Sequence, residues 1–159
     1  MIIKVGILTC SDKCYEGKRK DTAGEVIKKV IKNFQTTIPI CRTEHHQSGR
    51  PTKKLLSKAK VVKYEILPDE KVLISKKLID WVDNENLDLI FTTGGTGIAP
   101  RDKTPEATKE ILHYEIPGIA EILRLEGYKK TPFAVLSRGI CGIRNKTLII
   151  NFPGSEKAV

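Results

Sequence analysis

Short, almost wholly apolar runs, each closed by polar or glycine residues, leave this chain few folds to choose from. Ile2–Thr9 and Leu87–Thr93 are apolar at nearly every position. A strand with one solvated face would alternate, so these runs suit strands buried on both faces. Val61–Leu67, Phe133–Ser137 and Thr147–Asn151 read as three further strands. Helical stretches lie between them. The first runs from Thr22 to about Phe34, with Thr22 and Glu25 as a capping box and Val26, Ile27, Val30 and Ile31 as its buried stripe. A second follows Asp69, which stands where an N-cap should, and turns Val72, Leu78, Ile79 and Val82 inward. Two shorter helices, roughly Pro105–His113 and Ile119–Glu126, are separated by Pro117 and Gly118. Strands alternating with helices predict an α/β domain of three layers, a mostly parallel sheet with helices on both faces. Such sheets bind ligands at the carboxyl ends of their strands. Here those ends are Cys10-Ser11-Asp12, Leu67-Pro68-Asp69, Thr93-Gly94-Gly95, Ser137-Arg138 and Asn151-Phe152-Pro153-Gly154, all polar or glycine-rich.

A length of 159 residues suits one domain over 1–159. With 40% hydrophobic and 30% charged residues, the composition excludes a disordered chain. The opening MIIKVGILT lacks a basic leader region, and no apolar run is long enough to cross a membrane, so a cytoplasmic protein is expected. Cys10, Cys14, Cys41 and Cys141 follow no redox or zinc spacing and read as reduced, structural residues. His45 and His46, being adjacent, do not converge on a metal and read as exposed loop.

The net charge of +9 raises a nucleic-acid reading, but its distribution argues otherwise. Residues 35–60 hold Arg42, Arg50, Lys53, Lys54, Lys58 and Lys60 against Glu44 alone, a net +5 in one atypical basic segment. No helix-turn-helix or RNP pattern accompanies it, so no nucleic-acid partner is expected. Attraction to an anionic substrate, or a solvated loop, explains the charge as well. The segment, with Pro39, Gly49 and Pro51, is also longer than most connections.

Chemistry concentrates in Leu89–Thr108, LIFTTGGTGIAPRDKTPEAT. An apolar strand enters a loop holding Gly94, Gly95 and Gly97, with Thr93 and Thr96 beside them. Arg101 and Asp102 follow, and a helix starts at Thr104-Pro105. Glycines let backbone amides approach an anion, and a helix N-terminus adds more donors. The loop is neither a Walker A loop nor GxGxxG, so a plain tight turn is the competing reading. Asp69 and Asp102 each start a helix after a strand, where capping is their plainest role. Both also lie on the ligand side of the sheet, and magnesium is commonly held by one or two carboxylates plus substrate phosphates. Arg138 could grip a phosphate or form a structural ion pair. Lys18, Arg19 and Lys20 read as a solvated face.

These segments resemble the MogA/MoaB-like molybdopterin-binding proteins of molybdenum-cofactor biosynthesis, nearest to the molybdopterin adenylyltransferases. The resemblance rests on TCSD at 9–12, EGKRKDTAG at 16–24, ILPDE at 66–70, TTGGTG at 92–97 and RDKTPEAT at 101–108. IPGIAEILR at 116–124, TPFAVLSR at 131–138 and LIINFPGSEKAV at 148–159 extend it to about two-thirds of the chain. It implies transfer of AMP from ATP to molybdopterin, with magnesium and a homotrimer, and a molybdate-insertion protein as a further partner. Asp69 and Asp102 match the catalytic and metal-holding aspartates, and Thr93, Gly94, Gly95, Thr96 and Gly97 the nucleotide-binding segment. Ser11, Asp12, Ser137, Arg138, Asn151, Pro153, Gly154 and Ser155 match substrate-pocket positions. The chain departs from the family at Gly127, commonly serine there, and at Glu156, commonly proline. It also stops at Val159, where relatives continue into a helix, so the expectation is a truncated C-terminal helix and exposed apolar sheet surface. These departures keep a second class open, a pterin- or nucleotide-binding protein of the same fold with weak or no adenylyltransferase activity.

Overall fold

The computed structural model describes residues 2–33, 35–38 and 55–156. The elements are β1 (Ile2–Cys10), α1 (Asp12–Tyr15), α2 (Thr22–Asn33), β2 (Gln35–Ile38), β3 (Leu55–Leu67), α3 (Lys71–Asp83) and β4 (Leu89–Thr93). They continue with α4 (Thr104–Ile111), β5 (Tyr114–Glu115), α5 (Pro117–Tyr128), a 3₁₀ turn (Pro132–Leu136), β6 (Cys141–Arg144) and β7 (Thr147–Phe152).

The described strands form one sheet in the order β2-β3-β1-β4-β7-β6-β5. Its four central strands are parallel, while β2, β6 and β5 run antiparallel to their neighbours at the two edges. The expected mostly parallel α/β sheet is therefore present. Strand β1 lies inside the parallel region between β3 and β4, and Val5, Ile7 and Leu8 are fully buried, as its continuous apolar run requires. Each such side chain stabilises the fold by about 1.5–3 kcal/mol. One face packs on α3 and α4 through Leu8, Ile74, Leu78, Trp81, Ile90 and Ile111. The other packs on α2 through Val5, Ile7, Ile27 and Ile31. The chain leaves β1 toward β3 and leaves β4 toward β7, so β1 and β4 bracket the point where the winding reverses. The crevice at the carboxyl ends of those two strands is where such sheets bind ligands. Among the described residues no helix is long and apolar enough to cross a membrane.

Several local expectations change. Phe133–Ser137 is not a strand: Pro132–Leu136 forms the 3₁₀ turn, with Pro at its start. Phe133 is 76% exposed, so this apolar run lies on the surface and was too short for periodicity to distinguish. The missing sheet partner is β6, joined to β7 by a two-residue hairpin in which Asn145 takes φ +53°. Asn-Lys between apolar runs was the available signal. The capping box on Thr22 is replaced by Asp21, whose carboxylate accepts from the Gly24 amide at 2.9 Å. Asp21 also accepts from Thr9 at 2.5 Å and from Tyr64 at 2.6 Å, tying α2 to β1 and β3. Val30 and Val72 face solvent, and Trp81 takes the core position that α3's predicted stripe lacked. Part of the basic segment pairs as sheet, β2 antiparallel to the start of β3. Residues 39–54, with Cys41, His45, His46 and most of the basic cluster, lie outside the described residues, as do Phe34 and 157–159 where the C-terminal helix was expected to be cut short.

Candidate active site

The parallel strands deliver Ser11 and Asp12, Asp69, the glycine loop, and Pro153 with Gly154 and Ser155 to the walls of one cavity of about 670 Å³. Helix α5 and the 3₁₀ turn supply its opposite, more apolar side through Leu123, Gly127, Phe133 and Leu136. Of these, sequence reasoning singled out Gly127 alone, because an apolar helix face carries no chemical signature.

The loop conformation depends on glycine at two positions. Gly94 has φ +92°, and a Cβ there would stand 2.2 Å from the Cys10 carbonyl oxygen. Gly95 has φ +61°, and its Cβ would stand 2.4 Å from Thr104 Oγ1 and 2.8 Å from Asp69 Oδ1. Only a residue without a side chain fits either place. Among the described residues the amides of Gly95, Thr96, Gly97 and Ile98 donate to no protein group, whereas Gly94 donates to Phe152 O at 3.2 Å. Four consecutive uncommitted donors thus lie along the cavity, the arrangement an anion requires.

Asp69 does not cap α3; that position belongs to Glu70, which makes no side-chain cap bond. Instead Asp69 and Asp12 hold each other: the Asp12 amide donates to Asp69 Oδ2 at 3.1 Å, and the Asp69 amide to Asp12 Oδ1 at 3.0 Å. Asp69 Oδ1 and Thr104 Oγ1 are buried without hydrogen-bond partners. Burial pushes the Asp69 carboxyl above the usual carboxylate range, and the charges of Asp12 and Asp102 push the same way. Asp12 moves oppositely: the Arg101 guanidinium, bonded at 2.9 and 3.1 Å, holds its carboxyl below the usual range. Asp102 does not cap α4 either, since Lys103 occupies that position. Its Oδ2 accepts from the Ala99 amide at 2.8 Å and lies 2.8 Å from where a Gly97 Cβ would be. Both carboxylates therefore border the glycine loop.

The other predicted positions divide. Ser11 lines the cavity, caps α1 and accepts from Arg19 at 3.2 Å. Lys13 and Arg19 line it too, so Arg19, exposed together with Lys18 and Lys20 as expected, also borders the site. Ser137 and Asn151 line it, although the Asn151 amide is engaged by Thr92, Thr108 and Ile140. Thr93 does not; it is fully buried and donates to Pro153 O at 2.8 Å. Arg138 also lies off the cavity, its fork turned to Gly97 O, Asp102 O and Glu106. Gly127 lines the cavity from α5, where a Cβ would approach Ala134 Cβ to 3.0 Å. Burial pushes the Cys10 thiol up to about 12, which removes it as a nucleophile.

Residues 6–159 match the family described as probable molybdopterin binding domain. The chain belongs to that family. It is 40% identical over 157 residues to the molybdopterin adenylyltransferase of Helicobacter pylori, covering 99% of this chain and 77% of that one. It is 43% identical over 158 residues to the molybdenum cofactor synthesis protein cinnamon of Drosophila melanogaster, but spans only 22% of that protein. The crystal structure of the molybdopterin biosynthesis enzyme MoaB from Thermus thermophilus superposes with TM-score 0.77 at 47% identity, covering 98% of this chain and 84% of that one. The MogA/MoaB-like resemblance is thereby established for the whole domain, and with it a place in molybdenum-cofactor biosynthesis.

Proposed function

We propose that this chain is a molybdopterin adenylyltransferase, transferring AMP from ATP to the terminal phosphate of molybdopterin and releasing pyrophosphate. One observation carries the reading: four uncommitted loop amides stand beside two carboxylates in a cavity of about 670 Å³. A phosphate oxygen of molybdopterin attacks the α-phosphorus of ATP, a new P–O bond forms, and the bond to the β-phosphate oxygen breaks. Such a reaction asks the protein for alignment and charge stabilisation more than for covalent chemistry. The amides of Gly95–Ile98 orient the phosphates and meet the charge that develops on them. Leu123, Phe133 and Leu136 form an apolar wall against which a flat heterocycle excludes water.

The donor set fits magnesium. Asp69 Oδ1 is a buried oxygen without a partner, both carboxylates border one loop, and hard oxygen donors suit this ion. Asp69 and Asp102 would hold it, and it would neutralise the departing pyrophosphate. A homotrimer is part of the proposal. Ile122, Leu125, Tyr128, Phe133 and Val135 form an exposed apolar face on α5 and the 3₁₀ turn, of the kind that oligomers cover. A molybdate-insertion protein is the expected receiver of the adenylylated product.

Purified protein incubated with ATP, magnesium and molybdopterin is expected to release pyrophosphate and form adenylylated pterin, detected by coupled assay and mass spectrometry. Molybdopterin binding with no product would leave a binding protein of the same fold. Salt-sensitive binding to nucleic acid with no pterin affinity would sink both readings.

A further inference from the structure

We propose that Arg138 is a positioning residue that fixes the glycine loop and Asp102, and that it makes no contact with substrate phosphate; the inference rests on the adenylyltransferase reading of the same site. Arg138 does not line the cavity, although Ser137 and Gly139 on either side of it do. Its guanidinium lies behind the loop and joins three points. Nε donates to Gly97 O at 2.6 Å, Nη2 donates to Asp102 O at 2.7 Å, and Nη1 pairs with the Glu106 carboxylate in the first turn of α4. The first and last residues of the segment 97–102 are thus held at a fixed separation by one rigid plane. Although burial of Glu106 opposes it, Arg138 keeps that carboxyl below its usual value, so the third anchor stays charged. A lysine could occupy one of these anchors, not all three.

The segment's remaining closure runs through Asp102. Its amide donates to Ala99 O at 2.9 Å, and its Oδ2 accepts from the Ala99 amide at 2.8 Å. A carboxylate that turns toward a metal–nucleotide complex gives up that second bond. The two carbonyl bonds from Arg138 do not depend on the Asp102 side chain, so they hold the loop while Asp102 is drawn away. The Arg138 amide separately donates to Thr96 O at 2.8 Å. Side-chain substitution leaves that backbone link in place, which favours a folded variant.

The test uses the full chain with Arg138→Met and Arg138→Lys. Amide hydrogen exchange at Ala99 and Asp102 reads the loop without reference to activity. Arg138→Met is expected to accelerate it about tenfold, the effect of losing bonds of ordinary strength. Turnover should fall about 100-fold, as for a misplaced catalytic group, and the half-saturating magnesium concentration should rise. KM for ATP and molybdopterin should stay within about twofold, and Arg138→Lys should recover part of kcat. Unchanged exchange overturns the proposal, and so does a large rise in KM at constant kcat, which marks a direct phosphate contact. If the wild-type chain shows no adenylyl transfer, the functional reading fails by itself while exchange still decides the clamp. Should Arg138→Met not fold, Glu106→Ala removes one anchor only, and unaltered exchange in that variant overturns the proposal.

Discussion

Replacing Asp69 by asparagine separates what this carboxylate does for the reaction from what it does to the fold. The ionised side chain is held at a loss: Oδ1 is buried with no donor, and burial raises the carboxyl above its usual range. Asparagine keeps the shape and removes the charge. Its oxygen can still accept from the Asp12 amide, and a neutral NH₂ group replaces the buried, unpartnered Oδ1 of the carboxylate. An unsatisfied buried group costs about 1–3 kcal/mol. Asp69 is only partly buried, so the low end applies, and the variant should gain about 1 kcal/mol at neutral pH. For a chain of this length that is a rise in Tm of about 2–4 °C.

The pH dependence carries a definite sign. A carboxyl whose folded pKa lies above its unfolded value, about 3.9, binds more protons in the native state between the two. Native stability from this group is therefore greatest below that interval and is lost as pH rises through it. Asparagine does not titrate, so its advantage over wild type is full above both pKa values and shrinks on acidification toward the unfolded carboxylate range. Turnover should fall by about 10²–10³ at every pH, the usual consequence of removing one preorganised stabiliser. Differential scanning calorimetry between pH 4.5 and 7.5, beside pyrophosphate release, measures both effects. A variant clearly less stable than wild type at pH 7, or one with undiminished turnover, refutes the reasoning.

Gly94→Ala should destabilise the fold by about 2–5 kcal/mol, from left-handed backbone strain and overpacking against Cys10. Urea unfolding reads it, and a loss under about 1 kcal/mol would contradict the 2.2 Å contact. Gly127→Ser should leave stability within about 1 kcal/mol, because helix propensity offsets the tight approach to Ala134. It adds a hydroxyl to the cavity wall, so molybdopterin KM should fall; a rise would mean that the wall cannot accept the side chain.

How far the sequence could be read depended on what kind of information each part needs. β1 and β4 were legible because burial on both faces leaves a continuous apolar run, and the carboxyl-end rule then located the crevice without any distances. TTGGTG was legible as a site because positive φ and close approach demand glycine itself. The roles of Asp69, Asp102 and Arg138 were not, since capping, metal binding and ion pairing use the same residue types at the same spacing. Only the contacts separate them: Glu70 and Lys103 stand at the caps, and the Arg138 fork points away from the cavity. The 3₁₀ turn at Pro132–Leu136 misled for a related reason, because a short apolar run on an exposed face reads like a buried strand until its neighbours are known.

The charge arrangement gives the proposed reaction its strongest physical ground. Much of the guanidinium capacity around the cavity is spent on the protein itself: Arg101 on Asp12, Arg124 on Gly139 O, and Arg138 on two carbonyls and Glu106. Lys13 and Arg19 remain on the wall, with Arg19 bonded to Ser11. Against a polyanionic substrate, Asp69 and Asp102 would be purely repulsive, and the burial that raises Asp69 would add to the penalty. A site that places two carboxylates beside anion-binding amides is therefore coherent when a cation lies between carboxylates and phosphates. In that arrangement the desolvation that holds Asp69 at a loss in the free protein becomes an advantage, because the same low-polarity surroundings strengthen its attraction to the ion.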